Sequence, residues 1–228
     1  MNAPRDSRRE LDAMIVEIEL TLTSIVQGVA LYFLIENARN VLSIQQSVFW
    51  PYVAVGLLVI LIFWSRSVVH TLTLIRWPLE FGHNFFYIVC ALGESLLFTR
   101  LSNPRAWFAL GAFYAAIVWL LFIYDLRLIR AREQDSAGES SNRLYALVTR
   151  DQRLNIGVLV PALFVLNLAC AICIRTWPEF FTARNGHVWL AAAQLLVFAI
   201  YLGYVLYFFR TLVPLISRAR QEWHHDRP

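Results

Sequence analysis

Trp107–Tyr124, which reads WFALGAFYAAIVWLLFIY, is the stretch that decides the fold. It carries no charge, and as a helix it reaches about 27 Å, close to the hydrocarbon thickness of a bilayer. A barrel strand would alternate lipid-facing and lumen-facing residues over a much shorter run. Backbone in lipid must satisfy its own hydrogen bonds, so an unalternating run of this length is a helix. Working outward, the same reading applies to Tyr52–Trp64, Phe85–Phe98, Ile156–Ile174 and Val188–Phe209, and to a more polar segment at Met14–Ile35. The pattern predicts an all-α, polytopic membrane protein, a bundle of six transmembrane helices with short loops. The helices are expected near residues 11–36, 47–76, 81–100, 105–131, 154–175 and 187–216, within a single transmembrane domain over 1–228.

Punctuation between these runs is consistent with that layout. Pro51 falls in a first turn, where its missing donor is harmless. Trp77-Pro78 and Asn103-Pro104 mark tight turns, while Pro161 and Pro214 fall inside helices and are expected to kink them. Residues 133–153 read as a polar cytoplasmic loop: Asp135–Ser141 (DSAGESS) as linker, Asn142–Val148 as a short surface helix. Six tryptophans lie near span boundaries, as an interfacial aromatic belt requires; Trp64 and Trp119 sit deeper.

Hydrophobic residues make up 58% of the chain and charged residues 16%, which argues against a disordered or nucleic-acid-binding protein. All 20 basic residues are arginine, so the +4 net charge is read by position. With the N-terminus inside, about three quarters of the arginines fall on the inner side, which orients both termini to the cytoplasm of a bacterial inner (plasma) membrane. Glu17 and Glu19 in the first apolar run argue against a cleaved signal peptide. The expected partners are the lipid bilayer and either further copies of this chain or partner membrane subunits.

Ionisable side chains at membrane depth are costly and therefore informative. His83, Tyr87, Cys90 and Glu94 follow i, i+4, i+7, i+11 spacing and share one helix face. Glu94 lies about 16 Å along the axis from His83 and is expected inside the bilayer, where a carboxyl can hold a proton or a small cation. Arg66 and His70 occupy the inner end of the second helix, with Glu17, Glu19, Asp125 and Arg210 at similar depth, a set suited to an inner ion-pair cluster. Glu17, Thr21, Ser24 and Gly28 form a small-residue stripe of the kind that lets helices approach closely. Gln27, Asn167 and Gln194 are expected to hydrogen-bond across helices.

Other chemistry finds less support. Cys170-Ala-Ile-Cys173 resembles a redox pair but lies at a helix C-terminal end, which does not stabilise thiolate. His70 and His83 are neighbours across a helical turn, yet they sit at the membrane edge, which weighs against haem ligation. No zinc-spaced cluster, nucleophile elbow or phosphate loop is present. Neither a cofactor nor a metal is expected, no catalytic residue is assigned, and an enzyme is the less favoured class.

Six helices, a short soluble loop and the run from Trp64 through His70 give a topology that resembles bacterial members of the lysosomal potassium-channel family. Those proteins are six-helix subunits that oligomerise around a pore. The Phe-Ser-Asp triplet that marks that family early in helix one is absent here, so its pore residues and selectivity do not transfer. The leading expectation is an oligomeric ion channel or transporter-type subunit. Glu94, His83 and Tyr87 would line its polar path, and Arg66, His70 and Glu17 its inner mouth. The alternatives are a non-catalytic membrane scaffold or accessory subunit and, further off, a thiol oxidoreductase using Cys170 and Cys173.

Overall fold

The computed structural model describes residues 3–43, 47–74, 81–134 and 139–225. Among them the chain is all helical: α1 (Ala3–Ser43), a short 3₁₀ turn (Ser47–Phe49), α2 (Trp50–Leu74), α3 (Phe81–Phe98), α4 (Pro104–Gln134), α5 (Glu139–Leu154) and α6 (Val160–Thr176), followed by α7 (His187–His225). Six segments are long and apolar enough to cross a membrane: 13–41, 50–73, 81–98, 104–134, 141–176 and 187–218. The protein is thus a multi-pass helical membrane bundle. The expected turn at Trp77-Pro78 lies outside the described residues.

Packing runs α6–α4–α3–α1–α2–α7 around a central space, with α5 laid against α4 and α7 at one end. Apolar side chains cover much of the outer faces of the spans; Leu92, Val165, Trp189 and Ile200 are all more than half exposed. The interior is filled by Tyr52, Phe98, Trp107 and Phe108, all but sealed from solvent. Gly111 lets α4 close on α6, since a Cβ there would stand 2.5 Å from Asn167 Oδ1. At the α3–α4 turn, Asn103 Oδ1 accepts from the Ala106 amide at 3.0 Å and Pro104 supplies the first helical residue, a standard N-terminal cap.

The one large departure from the sequence reading concerns residues 133–153, expected as a polar loop. Instead α4 continues to Gln134, and α5 begins at Glu139 and runs on toward α6; only 135–138 of the expected linker lie outside the described residues. Ser141, Leu144, Tyr145, Val148, Gln152 and Asn155 recur at helical spacing, and all are buried. Low mean hydropathy hid an amphipathic helix.

α5 joins α6 through a π-helical turn, Asn155–Leu159, in which the Val160 amide donates to the Asn155 carbonyl. In that register the next carbonyl, Ile156, would accept from residue 161, but Pro161 has no N–H to give. Trp119 Nε1 on α4 donates to the Ile156 carbonyl instead, at 2.9 Å. The deep tryptophan and the mid-span proline are therefore two halves of one arrangement. Trp119→Phe should cost about 1–3 kcal/mol by orphaning that carbonyl. Most of that loss should disappear when the change is made in a Pro161→Ala background, where a backbone donor returns. Denaturant unfolding of the four proteins in detergent measures the coupling.

Candidate functional site

Polar side chains inside the bundle are grouped in tiers, each spanning two or three helices. At the α5 end, Arg66 on α2 meets Asp151 on α5 at 2.8 Å, both 4% exposed. The Arg66 guanidinium lies between the rings of Phe122 and Phe208, 5.4 and 5.7 Å from their centroids. Tyr204 donates to the same aspartate at 2.6 Å, and Tyr201 donates to Asn155 Oδ1 at 2.5 Å, tying α7 to the α5–α6 rod. Planar guanidinium between aromatic faces and against a carboxylate is a geometry that lysine does not reproduce.

Beside this tier, Asp125 on α4 is fully buried and faces two histidines. His83 Nδ1 on α3 is 2.7 Å from Oδ1, and His70 Nδ1 on α2 is 2.8 Å from Oδ2. The two imidazole rings lie 6.1 Å apart, with their planes at 63°. A third pairing in this region joins Asn84 Nδ2 to Glu19 Oε1 at 2.7 Å, linking α3 to α1.

Further along α3, Glu94 is completely buried. Tyr114 on α4 donates to its Oε1 at 2.7 Å, and Gln27 on α1 donates to Oε2 at 3.3 Å. None of the ion pairs among the described residues reaches it. Tyr87, between the two tiers, donates to the Thr23 carbonyl at 3.3 Å and stacks on Phe63. His83, Tyr87, Cys90 and Glu94 are all buried, on the single face that their spacing implies.

Opposite Glu94 a chain of side chains crosses the bundle. Trp107 Nε1 donates to Gln194 Oε1 at 2.9 Å, Gln194 Nε2 donates to Asn167 Oδ1 at 2.8 Å, and Asn167 Nδ2 donates to the Leu163 carbonyl at 2.8 Å. Between this chain, Tyr114, Tyr201 and Arg66 lies an internal cavity of about 60 Å³ with mostly apolar walls, large enough for a small number of waters.

Several sequence-level site residues thus come together and others do not. Glu94 and Tyr87 line one face, and His70 joins His83 on Asp125. Arg66, expected to pair with a carboxylate of the inner cluster, pairs instead with Asp151, a residue assigned to the loop by sequence. Glu17 stands apart: it is exposed on the outer side of α1 with Thr21, Ser24 and Gly28, whereas Glu19 turns inward. Cys170 and Cys173 are free thiols near the end of α6. Tyr114, Asp151, Tyr201 and Tyr204 were not singled out by sequence.

Comparison with protein-family models, with curated proteins and with solved structures gives no match for this chain.

The Arg66–Asp151 pair lends itself to measurement. Arg66→Leu should destabilise the protein by about 3–5 kcal/mol, because it leaves a buried carboxylate without its cation. The double change Arg66→Leu/Asp151→Leu should recover most of that loss. Unfolding titrations of the two variants against the parent decide it.

Proposed function

We propose that this protein moves protons or a small cation across a bilayer, with Glu94 as the group that holds the ion in transit. The observation that carries the reading is the setting of Glu94: a fully buried carboxyl whose hydrogen-bond donors among the described residues are neutral, Tyr114 and Gln27. A structural carboxylate at membrane depth is normally matched by a basic partner, and an ionisable group without one is the usual mark of an ion path. Tyr87 and His83 continue the polar face of α3 from Glu94 toward the α2–α3 end. His70 and Asp125 join His83 at the inner mouth, and Arg66 holds α2 against α5 beside it.

The excess of arginine on the α5 side supports an inner bacterial membrane orientation with both termini cytoplasmic. The Glu17, Thr21, Ser24 and Gly28 stripe is exposed, with no partner helix among the described residues, and favours contact with a second copy or another membrane subunit. That stripe also supports the second reading, a scaffold or accessory subunit whose interior polar tiers only hold its own helices together.

Reconstitution separates the two. In proteoliposomes carrying an imposed proton, sodium or potassium gradient, the wild type should conduct at least one of these ions. Glu94→Gln should fall to the rate of empty liposomes while keeping its gel-filtration profile. Absence of flux under every gradient, or full flux in Glu94→Gln, turns the assignment to the scaffold.

A further inference from the structure

Asp125, His70 and His83 have a geometry that a hydrogen-bonded triad alone does not account for. One donor atom from each residue can be chosen so that all lie within 4.8 Å of one another, and all three residues are buried. Around a tetrahedral ion bound at ordinary Zn–N and Zn–O lengths, donors stand about 3.3 Å apart, so side-chain adjustments on the order of 1 Å bring them together. No new residue has to be recruited.

A second, independent observation comes from the carboxylate. Asp125 Oδ2 has His70 Nδ1 at 2.8 Å, yet it has no aligned hydrogen-bond donor among the described residues. The imidazole nitrogen stands at ion-pair distance from it. A buried carboxylate oxygen left in this way is expensive unless something else meets its lone pairs.

The helices make the arrangement rigid. His70 lies near the end of α2, His83 near the start of α3 and Asp125 within α4, so the donors come from three separate backbones packed together. Phe122 packs against His70 from one side, with ring centroids 6.2 Å apart. Two imidazoles and one carboxylate are borderline donors. They suit zinc, iron(II), cobalt(II) or manganese(II), whereas calcium and magnesium prefer all-oxygen sets. Three protein ligands also leave coordination positions open.

We propose that His70, His83 and Asp125 form a binding site for one divalent first-row transition cation at the inner end of the bundle. The proposal rests on the geometry of the triad and is independent of ion flux through Glu94. It concerns a cation held at equilibrium.

The test uses full-length protein in detergent, without an affinity tag, with His224→Gln and His225→Gln to remove the tail histidines. After chelator treatment and dialysis, cobalt(II) and zinc(II) are the probes. Cobalt should bind with one-per-chain stoichiometry and give visible d–d absorption of a low-symmetry site, and zinc should displace it. Asp125→Asn and His83→Gln should each weaken binding by about 100-fold or more, since even outer-shell changes reach that size. His187→Gln, at the far end of the bundle, should bind as the parent does. His83→Cys should retain cobalt and add a near-ultraviolet thiolate-to-metal charge-transfer band, which a purely structural histidine would not produce. The proposal is overturned if the parent takes up neither metal, if Asp125→Asn and His83→Gln bind as well as the parent, or if cobalt-loaded His83→Cys lacks the band. The parent's uptake is decisive even where a variant does not fold.

Discussion

Hydrocarbon offers no partner to a polar side chain, so a polar group carried to membrane depth is costly unless the protein itself meets it, within its own helix or across to a neighbour. Much of the interior follows from that constraint. Arg66 finds Asp151 across α2 and α5, Asn84 finds Glu19 across α3 and α1, and Gln194 finds Asn167 across α7 and α6. Helices in lipid gain little from the hydrophobic effect, so these contacts and the close approach at Gly111 specify which helix lies beside which. The same requirement reaches the backbone, where the Ile156 carbonyl is met by an indole because a proline cannot meet it.

Spanning segments were legible in the sequence because their signal is a sum over some twenty residues, which single polar insertions do not erase. The face of α3 was legible for a similar reason: His83, Tyr87, Cys90 and Glu94 obey helical spacing within one element. Partners on other elements were not. Nothing local distinguishes Asp151 from Glu17 as the counterion of Arg66, because the choice depends on how α5 packs against α2. Glu17 and Glu19 illustrate the limit most clearly. Two residues apart, they point about 200° apart around the helix, and only tertiary packing determines which one faces inward.

The segment 133–153 was misread for a different reason. Its Asp, Glu, Ser and Arg content gives a loop-like average, yet Leu144, Tyr145, Val148 and Gln152 repeat with the period of a helix and are buried against α4 and α7. Periodicity rather than mean hydropathy carried the information. The error mattered, because α5 supplies Asp151 and leads into the turn that carries Asn155. Both belong to the tier beside the histidine–aspartate triad.

The Trp107–Gln194–Asn167–Leu163 chain has one further consequence. An indole can only give a proton to a hydrogen bond and a backbone carbonyl can only receive one, so the two ends dictate the rotamer of both amides between them. Neither amide can flip without breaking a link at each side. Hopping of protons along a chain requires every member to exchange donor and acceptor roles, as water and hydroxyls do. Protons therefore cannot hop along this row of contacts, which is a fixed brace joining α4, α7 and α6.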